Sequence, residues 1–132
     1  MRVTCIANHG SALSAKHFEK SGNTPSTEFD LDVGHEYVVY GMVVSKGLLS
    51  YLVIGTAMFA QWYPAELFKV TQSKLPDNWH FEYLREEEGF LVEAVWGYEE
   101  LLRPDHFDAL SEMESSAINV FVKRKTEIDN VS

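Results

Sequence analysis

Gln61-Trp62-Tyr63-Pro64-Ala65-Glu66-Leu67-Phe68-Lys69-Val70 is the stretch on which the rest of the chain is organised. Proline has no backbone N–H to give to a ladder, so a strand through Trp62 and Tyr63 must end at Pro64. Ala65-Glu66 leaves room for a tight turn. Leu67-Phe68-Lys69-Val70 then resumes as an apolar run. The reading is a closing corner between two strands, one ending at Tyr63 and the next starting at Leu67.

Working back from the corner, Leu48 to Ile54 reads as a strand. Ser45-Lys46-Gly47 is a hairpin signal before it. Tyr37 to Val44 is rich in β-branched and aromatic residues and reads as one continuous strand, with Gly41 as a bulge. Gly34 suits a turn. Met1 to Ala7 reads as a first strand rather than a leader segment. Ser11 to Lys20 has room for one or two helical turns, and Ser21 to Thr27 reads as a mobile loop.

Working forward, Trp79 to Leu84 alternates large apolar and polar residues, as a half-buried strand does. Phe90 to Trp96 reads as its antiparallel partner. Tyr98 to Leu102 reads as one helical turn before Pro104. Asp105 to Lys125 reads as a single helix, capped by Asp105 or Asp108. Its buried stripe is Leu110, Met113, Ala117, Ile118, Phe121 and Val122.

The glycine-led strand, the hairpin and the aromatic-Pro-x-x-Leu-Phe-x-Val corner resemble the last turn and strand of SH3-like barrels. The resemblance covers about Leu31 to Val70. The Ala-Leu-Tyr-Asp-Tyr opening and paired tryptophans of peptide-binding SH3 domains are missing, so their polyproline function is not implied. The expected fold class is α+β, mainly β: an SH3-like antiparallel barrel (core about 31–70), then a β-hairpin and a C-terminal α-helix (about 79–125), in one domain of 132 residues. More loosely, the chain resembles small bacterial proteins with a Trp-Tyr-Pro-x-x-Leu-Phe core. That resemblance implies an immunity protein that neutralises a toxin from a competing bacterium.

The apolar share of 45% is that of a globular chain. Cys5 is the sole cysteine, so no internal disulfide can form and a reducing, cytoplasmic setting is expected. The longest apolar stretch, Gly47 to Ala60, is too short and too interrupted to span a bilayer. Charge placement is more informative than its total. Between Glu82 and Glu114 stand eleven acids and two bases, a surplus that accounts for the entire net charge of −9. Such a field attracts basic proteins and repels nucleic acid.

None of the five histidines forms a metal-binding spacing, and Cys5 with His9 supplies only two ligands. Phosphate-cradling glycine motifs and a nucleophile elbow are missing. No cofactor, metal or catalytic residue is therefore assigned. The expected function is non-enzymatic binding of a protein partner. Its contact face is Glu82, Glu86, Glu87, Glu88, Glu93, Trp96, Tyr98, Glu99 and Glu100. A basic nuclease toxin is the natural partner, because clustered carboxylates mimic the phosphates it binds. The alternatives are an SH3-like interaction module with an exposed Trp62–Tyr63 corner, and a small enzyme.

Overall fold

The computed structural model describes residues 1–84 and 92–131. The strands are β1 (Arg2–Cys5), β2 (Glu36–Val38), β3 (Gly41–Ser45), β4 (Leu48–Ile54), β5 (Ala60–Pro64), β6 (Phe68–Gln72), β7 (His80–Tyr83) and β8 (Val92–Gly97). The α-helices are α1 (Ala15–Lys20), α2 (Pro104–Ser111) and α3 (Ser115–Val131). The class is α+β with antiparallel pairing throughout the described ladders.

The described strands form two sheets rather than one closed barrel. A three-stranded sheet has the order β2-β1-β6, and a five-stranded sheet has the order β5-β4-β3-β8-β7. The expected single strand from Tyr37 to Val44 is two strands. Val39 and Tyr40 carry the chain from one sheet to the other, with Val39 N–H donating to Met1 O and Tyr40 N–H to Leu52 O. Gly41 is not a bulge. A Cβ there would lie 2.4 Å from Leu101 Cδ2, so glycine serves close packing of the Glu99–Leu102 3-10 turn on the sheet.

The corner behaves as the sequence implies. β5 ends on Pro64, the 3-10 turn Ala65–Leu67 follows, and β6 starts at Phe68. Leu67 and Phe68 are buried there. The hairpin between β3 and β4 is a two-residue turn with positive φ at Lys46 (53°) and Gly47 (74°), the geometry that matches strand twist. The expected second hairpin is not a separate unit: β7 pairs with β8, and β8 pairs with β3, extending the main sheet. A register shift places one extra residue of β8, Glu93, opposite the Val44–Ser45 step. Val92 and Val95 thereby both reach the same core.

Two cores result. Met1, Val3, Tyr37, Val39, Val53, Tyr63 and Leu67 are among the residues filling the space between the sheets. On the other side, Leu52, Val95, Tyr98, Leu101, Leu110, Phe121 and Ile128 pack the helices onto the five-stranded sheet. Full burial of Val39, Leu67 or Leu101 contributes about 1.5–3 kcal/mol each.

The long helix expected from Asp105 to Lys125 is broken. Met113 has φ 57°, Glu114 N–H donates to Ala109 O, and Met113 N–H donates to Leu110 O. This is a Schellman stop, with methionine where glycine is usual. No side chain caps the start of α2: Pro104 occupies its first turn after Arg103, and Asp105 acts only through the helix dipole. The Ser21 to Thr27 loop is tied down by Gly10 N–H to Thr27 O and Thr24 N–H to Thr27 Oγ1.

Candidate protein-binding surfaces

The acidic region lies at the β7–β8 end of the main sheet and on the elements that follow it. A single row of side chains crosses all five strands: Tyr63, Tyr51, Met42, Trp96 and Phe81 are successive cross-strand partners. The row runs from core to solvent. Tyr63 is 3% exposed, Trp96 is half-buried and Phe81 is 52% exposed. The Phe81 and Trp96 rings lie 4.7 Å apart. Two residues on, on the same face, Tyr83 is 68% exposed. β7 is the edge strand, and Glu82 is exposed on its opposite face.

The other expected contact residues have varied positions. Tyr98 is 1% exposed, a core residue whose hydroxyl lies 2.7 Å from His106 Nε2. Burial pushes that phenol well above its ordinary range and holds His106 below its own. Glu100 is clamped by Arg124, with Nε to Oε1 at 2.9 Å and Nη2 to Oε2 at 3.0 Å, a fork that holds its carboxyl below the usual range. Glu99 pairs with Arg103 at 3.2 Å. Glu93 accepts the Gly47 N–H at 2.9 Å, pinning the β3–β4 turn to the bulge. Glu86, Glu87 and Glu88 lie outside the described residues. Among the expected residues that are described, Trp96 thus lies beside the exposed aromatics, Glu82 projects from the opposite face of the same edge strand, and Glu93, Tyr98, Glu99 and Glu100 have partners within the chain.

The corner is packed. Tyr63 donates its hydroxyl to Gln61 Oε1 at 2.7 Å, and burial pushes it up to about 12. Trp62 stacks on Phe107 with ring centroids 5.3 Å apart. A module that binds through an exposed Trp62–Tyr63 pair has no such surface here.

A second surface was not anticipated. A groove of about 830 Å³ runs between α3, the end of α2, the Gly55–Phe59 turn and β2. Met58 is 80% exposed, Val122 53%, Met113 52% and Ile118 37%, and all four line it. Three of these were expected in the helix core. α3 in fact buries Ala117, Phe121 and Ile128, and leaves the neighbouring stripe uncovered. Two signals were present in the sequence. The helical stripe is wider than one packing face needs, and Ala57-Met58-Phe59-Ala60 is an apolar turn where polar residues are usual.

Tyr40 and Lys125 also line the groove. Tyr40 donates to Asp129 Oδ1 at 2.7 Å, Lys125 donates to Asp129 Oδ2 at 2.5 Å, and the ammonium sits 5.7 Å from the Tyr40 ring centroid. Cys5 is buried, its thiol donating to Ala7 O at 3.2 Å, and burial pushes its pKa up, which suits an inert residue. Among the described residues, no group of three or more His, Cys, Asp or Glu side chains is arranged to hold a metal ion. No described helix is long and apolar enough to cross a membrane.

Comparison with protein-family models, with curated proteins and with solved structures finds no match to this chain.

Proposed function

We propose that the chain is a non-enzymatic, cytoplasmic binding protein that neutralises a basic bacterial toxin, a nuclease being the natural example, through the acidic end of its main sheet. The observation that carries the reading is β7, an edge strand with Phe81 and Tyr83 largely exposed on one face and Glu82 exposed on the other. Exposed aromatics supply anchoring area, and surrounding carboxylates speed encounter with a cationic partner. An open strand edge also offers backbone groups to a partner strand. The SH3-like resemblance of Leu31 to Val70 belongs to the same proposal, supported by the Pro64 corner and the short turn after it.

The test is a pull-down with the product of the neighbouring open reading frame, at low and high salt. A tight complex that weakens with salt is expected. Phe81→Ala with Tyr83→Ala should speed dissociation. Replacing Glu82, Glu86, Glu87 and Glu88 by Lys should slow association. Unchanged kinetics in both variants would remove the acidic edge as the contact.

A further inference from the structure

We propose that the groove beside α3 is a second binding site, and that its occupant is an amphipathic helix of a protein partner, apolar along one face and ending in Lys or Arg. The proposal does not rest on the toxin reading and uses a different face of the molecule.

The shape argues for a protein segment. Met58, Val122 and Met113 are each more than half exposed, so the walls stand open rather than enclosing a small ligand. The α3 wall presents Ile118, Val122 and Lys125 at spacings of four and three, a stripe of about two helical turns. A helix satisfies its own backbone and asks mainly for apolar contact, which these walls supply. Met58 and Met113 both line the groove, and unbranched thioether side chains conform to varied surfaces. Both sit on left-handed backbone, φ 68° and 57°, which a residue other than glycine adopts at a conformational cost.

Charge complementarity sets the polarity of the occupant. Lys125 is the cation of the lining, and Asp129 neutralises it. At the β2 end stand Asp32, His35 and Glu36. Arg2 pairs with Glu36 at 3.0 Å, but Asp32 is in no ion pair among the described residues. That end therefore favours a cation, and the chain's net charge of −9 disfavours a second copy of itself.

The probe is a fluorescein-labelled synthetic helix of about four turns, with Leu along one face and two Lys at one end. It is titrated with the full chain and read by anisotropy. Saturable binding is expected, and an otherwise identical peptide ending in two Glu should bind about tenfold more weakly. Val122→Glu and Met58→Glu, both at exposed positions and checked by thermal melting, should each weaken the Lys-ended peptide about tenfold. Asp32→Asn should narrow the gap between the two peptides. Absent saturation, equal binding of both peptides, or full affinity in both wall variants would overturn the proposal. So would a dimer of the chain that Val122→Glu dissolves, since the occupant would then be a second copy.

Discussion

The Tyr40 hydroxyl donates to Asp129 Oδ1 at 2.7 Å across 89 positions of sequence. Tyr40 lies where the chain passes between the sheets, and Asp129 lies in the last turns of α3. The bond therefore fastens the far end of the helix to the junction of the two sheets. Burial and the Asp129 carboxylate both hold the phenol protonated. Tyr40→Phe keeps the ring against Phe121, whose centroid lies 5.4 Å away, and removes only the hydroxyl. A loss of about 1 kcal/mol is expected in urea unfolding, with an unchanged denaturant slope. Wild-type stability in the variant would mean that the bond contributes nothing net.

His106 makes stability depend on pH in a definite window. Burial and Arg103 lower its pKa, against an opposing pull from Glu100. The unfolded chain takes up a proton near pH 6.5, and the folded chain takes it up only at lower pH. Between those values the unfolded state binds more protons, so stability falls as pH drops through 6.5 and levels off below the folded pKa. The melting temperature should fall as pH drops through 6.5, and His106→Gln should reduce that fall. The carboxyls of Glu36 and Glu100, held low by their arginines, add acid lability only below their ordinary value of 4.5. An equal slope in the variant would place the proton elsewhere.

Two glycines should fail for different reasons. At Gly55 a Cβ would lie 2.2 Å from Asp30 O and 2.8 Å from Tyr63 Oη. Gly55→Ala therefore forces the loop through Asp30 off the β4–β5 turn, at a cost of about 3 kcal/mol. At Gly34 the space is open but φ is 89°. Gly34→Ala costs only the backbone strain, about 1 kcal/mol. Chemical denaturation of the two variants should rank them in that order, and the reverse order would contradict the packing at Asp30.

What the sequence revealed and what it hid follow from one distinction. Local chemistry was legible. Pro64 marks the corner, Lys46-Gly47 marks a two-residue hairpin, and alternation through Trp79–Leu84 marks a strand, though not the half-burial expected with it, since all four residues of β7 are exposed. Partner choice was not. Tyr37 to Val44 is an unbroken apolar run, and nothing local tells Val39 and Tyr40 to change sheets. The β8 strand was visible, but not its docking on β3. The helix break escaped because Met113 takes a left-handed position that glycine usually marks. For the same reason, Met113, Ile118 and Val122 read as core. Of the acidic face, Trp96 sits beside exposed rings and Glu82 on the other side of the same strand, while the arginine clamp on Glu100 and the burial of Tyr98 depend on contacts made far along the chain.

The position of β1 at the centre of the three-stranded sheet has a consequence for synthesis. Its partners are Glu36–Val38 on one side and Phe68–Gln72 on the other. During synthesis β1 thus cannot complete its hydrogen-bonding until β6, far later in the sequence, has been made. Until then Val3 and Cys5, buried in the finished protein, have no β6 to close over them. A nascent chain stalled before Phe68 would present both edges of its sheet to any chaperone within reach.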